Sequence, residues 1–439
     1  MFPSTAPQIH QQRRQAMLER MPDRSAALFL ALPEAPRNGD VIHPYRPDSD
    51  LWYLTGFAEP RSALLLTRGC DAPASVLFLR DRDPRAEVWT GPRIGVEDAP
   101  VALGVEAAHP IETLARELPG LLARAQVFIH RAPHDTPDRR AVAAALDSVR
   151  GGPRGPHKGP HSLQDPALSL HELRMTKDGT ELERIREASR ITGNALDQAI
   201  DRCSAGTGEW EIQARLDGDY RASGGWGWGF PTIVAAGANA CVLHYQSNAA
   251  RCDHGDLVLV DTGAEVDGYA ADVSRTFPVD GKFSAPQRDV YQVVLDAQQA
   301  AIEAVRPGVT LDDLHQLAVR ILAQGMIDLG LVSGSLDEVL EAGTYKRYYP
   351  HQTSHWLGLD VHDVGRYYLD GDTPRPLEPG VVFTVEPGLY VPTGDEDAPA
   401  HLRGIGVRIE DDVLVTRTGC EDLSASIPKS VEGIEALAG

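Results

Sequence analysis

Asp261, Asp272, His355, Glu386 and Glu410 are the residues of this 439-residue chain whose types and surroundings could do chemistry together. Four carboxylates and one imidazole suit two hard divalent cations held side by side. Each sits in a short motif that gives its side chain a direction. In DLVLVDTGAEVDGYAADVSRTF (256–277), two β-rich runs flank Asp267 and Gly268, a strong hairpin signal. With that pair as the loop, Asp261 falls opposite Ser274. Asp272 is two residues from Ser274 and shares its face. A lone aspartate there would read as part of a solvated sheet face. Here Leu257, Val258, Leu259, Val260 and Val273 argue for burial. Two buried carboxylates without a cation would repel each other at high cost.

Glu386 ends an apolar strand in VVFTVEPGLY and is followed by Pro387 and Gly388. Glu410 lies inside GVRIEDDVLV, with Arg408 two residues before it on the same face. Arg408 is expected to pair with Glu410 and orient it. HQTSHWLGLDVHDVG (351–365) holds His351, His355 and His362, a dense group for a chain with 15 histidines. Any one of them could be a packed core histidine; three beside a glycine-rich apolar run favour a site. Two divalent ions would neutralise the four carboxylates. At a separation of about 3.5 Å they would also lower the pKa of a bridging water and polarise a carbonyl. Oxygen-rich ligation favours manganese, magnesium or cobalt, and the one imidazole keeps zinc and iron open. There is no HExxH, GxSxG or Walker sequence, and no GxGxxG after a strand. GGWGWGF (224–230) lacks dinucleotide spacing and reads as a loop near the pocket.

The elements that must position these groups fall into two domains, since the length exceeds what one small core needs. The composition is globular, with 42% apolar and 24% charged residues. In the first part, residues 26–32, 63–67, 75–79 and 126–129 have strand length and composition, while 111–124 and 138–149 have helical character. This makes an α/β domain, placed at 1–175. GGPRGPHKGPHS (151–162) cannot hold a helix and marks the junction. Asp178 and Glu181 form a capping box that opens a helix, and 287–305 and 311–329 are amphipathic helices. Helices alternating with β-branched strands make 176–439 an α+β domain.

The net charge of −21 is spread along the chain, which argues against a nucleic-acid partner. No apolar run reaches about 18 residues, so no membrane span is expected. The polar N-terminus lacks the apolar core of a secretory signal. Five cysteines without a CxxC pair suggest a reduced, cytoplasmic setting.

The ordered series of five ligands, in their motifs, resembles the dinuclear metallopeptidases of the pita-bread fold. SHWLGLDVHDVG (354–365), LEPGVVFTVEPGLY (377–390) and RGIGVRIEDDVLV (403–415) are similar to the bacterial Xaa-Pro aminopeptidases, or aminopeptidase P. So are CVLHY (241–245), DTGAEVDGYAADVSRTFPVDGKF (261–283) and SDLWYLTGFAEP (49–60), so the likeness spans nearly the whole chain. The resemblance implies release of an N-terminal residue from peptides with proline second, by a metal-bridging hydroxide. It implies that Asp261 and Asp272 bind one metal, that His355 and Glu386 bind the other with Asp272, and that Asp272 and Glu410 bridge both. Manganese is the expected ion, with cobalt, zinc or iron as alternatives. Glu386 would shuttle the proton, and His362 would stabilise the tetrahedral intermediate. His244 and His351 would hold substrate and the proline ring; Arg408 would orient Glu410 and contact substrate. Trp89, in EVWTGPRIG, matches a tryptophan that reaches the site from a neighbouring subunit, and a homodimer or homotetramer is expected. The rival readings are a prolidase, which takes Xaa-Pro dipeptides only, and a non-catalytic pita-bread peptide-binding protein. Five intact ligands argue against the second.

Overall fold

The computed structural model describes residues 7–131, 137–150 and 159–438. The chain divides into two compact units, Met1–Leu173 and Arg174–Gly439. Most of the segment read as the junction, residues 151–158, lies outside the described residues.

The first unit is built on a mixed six-stranded sheet. Its strands run in the spatial order Ala107–Pro110, Ser75–Leu79, Ala63–Arg68, Ser25–Leu30, Val127–His130, Ser162–Gln164. Ser25–Leu30 pairs antiparallel with Ala63–Arg68 and parallel with Val127–His130. The central strands are buried on both faces, which is why their sequences are continuously apolar rather than alternating. Leu114, Leu118 and Leu122 of the helix Leu114–Leu122 join Val142 and Ala145 of Pro137–Arg150 in the core under this sheet. The helix expected over 111–124 starts later, because Ile111–Thr113 is a 3₁₀ turn. One helix, Pro7–Arg20, carries no apolar stripe to announce it. It docks through a buried arginine instead. Arg14 donates to the carbonyls of Leu54, Leu103 and Gly104, at or just past the ends of two other helices. The cation thereby satisfies carbonyls that have no intrahelical partner.

In the second unit the capping box forms as expected. Asp178 accepts from the Glu181 N–H, Glu181 accepts from the Asp178 N–H, and the helix Gly179–Asp201 follows. Helices Ala285–Glu303 and Leu311–Asp328 occupy the two amphipathic segments. Their apolar faces share one large core with Leu257, Val258 and Val260 of the strand Leu257–Thr262. That strand lies between Ile233–Ala236 and Val273–Pro278. The hairpin register is the one its turn sequence dictates, with Asp261 opposite Ser274. Asp267 and Gly268 both take positive φ, 51° and 88°, as a two-residue primed turn requires. GGWGWGF is not wholly a loop. Gly227–Trp228 pairs with Ala264–Val266 and adds a strand beside the hairpin, and Phe230 beyond it reaches the cavity described below. No helix among the described residues is long and apolar enough to cross a membrane.

Gly263 lets the hairpin arms close between Asp261 and Asp272. A Cβ there would stand 1.7 Å from the carbonyl oxygen of Ala271, a backbone atom that cannot swing aside. Gly263→Ala is therefore expected to destabilise the fold by about 3 kcal/mol or more, as severe overpacking does. A denaturation midpoint within error of the wild type would refute the close approach.

Candidate metal centre

Three strand pairings bring the five ligand candidates together. The 257–278 hairpin supplies Asp261 and Asp272. Segment 353–357 runs beside Val382–Val385. Glu386 donates its N–H to the Thr353 carbonyl (2.8 Å), Thr384 to that of His355 (2.9 Å), and Leu357 to that of Val382 (3.0 Å). This sets His355 and Glu386 on neighbouring chains, as a two-stranded ladder does. Gly388–Tyr390 pairs with Gly406–Arg408, and the Glu410 N–H donates to the Ser274 carbonyl (3.1 Å), which draws Glu410 toward the hairpin. Asp272, His355 and Glu410 each place one donor atom within 4.8 Å of the others. His355 Nε2 lies 3.3 Å from Asp272 Oδ2 and 3.6 Å from Glu386 Oε1. All five line one cavity of about 900 Å³, and every residue lining it belongs to the second unit.

Buried side chains behind the carboxylates fix their directions. Glu410, Asp411 and Asp412 are consecutive and do three different jobs. Glu410 faces the cavity and accepts from Ser274 Oγ (2.8 Å). Asp411 takes Arg275, Gln298, Ser424 and Lys429. Asp412 accepts from the Asp272 N–H and from Ser189 Oγ. Arg275, fully buried, also donates to the carbonyls of Ser274, Glu410, Ile427 and Pro428. Arg408 does not pair with Glu410 as its spacing suggests. Its guanidinium donates to Asp261 Oδ2 (2.6 Å), Ser274 Oγ (3.0 Å) and Tyr390 Oη (3.0 Å). The two side chains share the face that lines the cavity, but the guanidinium is taken up by Asp261, Ser274 and Tyr390. It acts on Glu410 through its charge and through Ser274, whose Oγ donates to Glu410.

The electrostatics call for cations. Asp272 and Glu410 are held well above the ordinary carboxylate range, by burial first and then by the neighbouring carboxylates. Glu386 is pushed up to about 8 by burial; Arg408 pulls it down and Asp261 pushes it further up. Asp261 Oδ1 is buried with no hydrogen-bond partner. His355 is pushed down to about 3 by burial and by the nearby His362. Its Nδ1–H donates to the Trp356 carbonyl (3.0 Å), which leaves Nε2 as a lone pair facing the carboxylates. A neutral imidazole, an orphaned oxygen and several repelling carboxylates fit divalent ions.

Around this set, the His362 and His355 rings stand 4.2 Å apart. His244 also lines the cavity. His351 Nε2 accepts from Tyr390 Oη (2.9 Å) and Nδ1–H donates to the Gln352 carbonyl (2.7 Å); burial pushes its pKa down to about 4. Trp89 lies on the helix Pro84–Thr90 of the first unit and is 86% exposed. The sequence reading missed Tyr390, which joins His351 to Arg408, and Thr353, Tyr349 and His315, which support the 353–357 segment. Tyr390 follows Glu386 by four residues in a strand facing Arg408, a signal that was available.

Comparison with known proteins agrees with this arrangement. Residues 183–417 match metallopeptidase family M24, and residues 10–130 match the aminopeptidase P N-terminal domain. The chain belongs to metallopeptidase family M24. It is 41% identical to the Xaa-Pro aminopeptidase of Escherichia coli over 98% of its length and 97% of that protein. To that of Haemophilus influenzae it is 40% identical, over 97% and 96%. The structure of E. coli aminopeptidase P with the inhibitor Pro-Leu superposes with a TM-score of 0.94, at 40% identity, covering 99% of this chain and 98% of that one. That of Pseudomonas aeruginosa aminopeptidase PepP gives 0.95 at 39% identity, covering 100% and 99%. The second unit thus has the pita-bread fold, preceded by an α/β domain, and its carboxylate-rich centre is one for divalent metal.

A raised Glu386 pKa has a signed consequence for the metal-free protein. The stability linked to that group is present below its ordinary value of 4.5 and is lost as pH rises through about 8. Glu386→Gln carries no such loss. In chelator-treated protein the variant should match the wild type near pH 4 and exceed it by on the order of a few kcal/mol near pH 9. Parallel unfolding curves across that range, with no divergence, would contradict the electrostatic account.

Proposed function

We infer that two divalent ions would serve this Xaa-Pro aminopeptidase, and that Asp261, Asp272, His355, Glu386 and Glu410 would hold them. The observation that carries the reading is the convergence of uncompensated buried carboxylates with one neutral imidazole at the wall of a peptide-sized cavity. When bound, the ions would polarise the scissile carbonyl and make a water acidic enough to attack it. The remaining work falls to the chain. Glu386 takes a proton from the attacking water and returns it to the departing prolyl nitrogen. His362, beside His355, donates to the oxygen that gains charge in the tetrahedral state. Arg408 and Tyr390 hold Asp261 and His351 in place, and His244 and His351 border the space for the first residue and the proline ring. An Xaa-Pro bond is a tertiary amide without an N–H, and proline restricts its neighbour. A site that needs no donor from that nitrogen can select it by shape.

Manganese fits this oxygen-rich set, and cobalt, zinc or iron would bind it too. We further assign the protein to the cytoplasm, on its five free cysteines. It forms homodimers or homotetramers in which the exposed Trp89 of one copy serves the site of another.

The cavity of about 900 Å³ takes in Asp312 and His315 of the helix Leu311–Asp328 as well as the ligand cluster. That volume leaves room for chain beyond the proline and favours an aminopeptidase over a dipeptidase. With manganese, the enzyme should release the first residue of Xaa-Pro-Xaa tripeptides, and chelation should stop it. Cleavage of Xaa-Pro dipeptides alone would overturn the assignment. Asp272→Asn and Glu410→Gln should each lower kcat/KM more than about 100-fold, beyond the usual effect of residues behind a metal site, with circular dichroism unchanged. Full turnover with one ion lost would rule out the two-metal arrangement.

A further inference from the structure

Lysine is scarce in this chain: Lys158, Lys177, Lys282, Lys346 and Lys429 are all it has. Three of the described ones are bound to carboxylates. Lys177 pairs with Asp363, Lys282 with Glu435, and Lys429 with Asp411 and Asp422. Lys346 has no carboxylate partner among the described residues, although acids outnumber Lys and Arg by 63 to 42. Its neighbour Arg347 turns to Asp395 and Asp397. Lys346 is exposed, and it lines the same cavity as the ligand cluster.

A series of hydrogen bonds leads from Glu386 to His315, a ring on which this lysine acts electrostatically. The Glu386 N–H donates to the Thr353 carbonyl (2.8 Å). Thr353 Oγ1 bonds His315 Nδ1 (2.8 Å) and Tyr349 Oη (2.7 Å). Lys346 and Asp312 both act electrostatically on the His315 ring, which burial keeps neutral. Asp312, the one carboxylate in this group, already accepts from Tyr368 Oη (3.1 Å). This part of the cavity lining therefore presents a neutral ring, a carboxylate with a hydroxyl on it, and an ammonium with no carboxylate on it.

On the peptidase reading above, the scissile bond lies at the ligand cluster, and chain beyond the proline must leave along the cavity. We propose that Lys346 forms, with His315, a downstream subsite that recognises a carboxylate of the substrate after the proline. The carboxylate is either the C-terminus of a short peptide or an acidic side chain in a longer one. Lys346 would thus be a specificity-determining residue, acting on binding rather than on the chemical step.

The test uses the manganese-loaded full chain, as wild type, Lys346→Gln and Lys346→Glu. One arm compares Ala-Pro-Leu with its C-terminal amide. The other compares Ala-Pro-Glu-Ala-amide with Ala-Pro-Gln-Ala-amide. The wild type should bind the carboxylate-bearing member of at least one pair about two- to fivefold more tightly in KM, as a single exposed charge pair allows. Lys346→Gln should level that preference and Lys346→Glu should reverse it, with kcat changing less than KM. High salt should level it in the wild type as well. The arm that responds identifies the source of the carboxylate. Equal preferences in all three proteins, with peptides still cleaved, would overturn the subsite and leave the peptidase reading intact. Failure of the wild type to cleave any of the four peptides would sink both.

Discussion

Asp261, Asp272, Glu386 and Glu410 are mutually repelling acids crowded into a space that water barely reaches. Of the four, Arg408 hydrogen-bonds Asp261 alone, its other bonds going to Ser274 and Tyr390. A chain does not place charge this way unless the rest of the fold holds it there. Much of the second unit can be understood as the means of holding it. The ions that would relieve the repulsion need the same oxygens close together, so what strains the metal-free protein also prepares the metal-bound one.

The holding is done chiefly by buried side chains that bind the backbone. Arg275 and Asp411, both fully buried, form an ion pair that clamps three chain segments. It is costly to bury, but its donors are satisfied by the carbonyls of Ser274, Glu410, Ile427 and Pro428. Asp412 does the corresponding job for Asp272 by accepting from its N–H. The N–H groups of Glu410 and Glu386 donate to the carbonyls of Ser274 and Thr353, while that of Asp272 thus ends on another carboxylate. Replacing those supports with apolar groups would preserve volume and lose position.

Much of this was legible in the sequence, for local reasons. The hairpin register followed from Asp267 and Gly268, since a two-residue turn fixes every pairing above it. The capping box at Asp178 and Glu181 is equally local. What could not be read was pairing between distant segments. Nothing in 353–357 says that it lies against 382–386, because no turn connects them and the first is not a regular strand. The alternation that puts Arg408 and Glu410 on one face holds, but only the fold brings Asp261, from a distant strand, to the guanidinium. Tyr390, four residues after Glu386, carries a local signal, whereas His315 has no characteristic spacing and only its neighbours in space give it a role. Pro7–Arg20 escaped for the opposite reason, since Arg14 occupies a place where an apolar side chain is expected.

Arg275 also fixes an order in time. Four of its bonds reach Glu410, Asp411, Ile427 and Pro428, more than a hundred residues downstream, and Lys429 completes the same cluster. During synthesis the first unit can collapse on its own sheet while the ribosome is still at work. The centre cannot. Asp261 and Asp272 emerge early, and they wait without their scaffold until residue 429 has been made. Metal captured by the nascent chain would find two aspartates and no site, so loading belongs to the finished molecule.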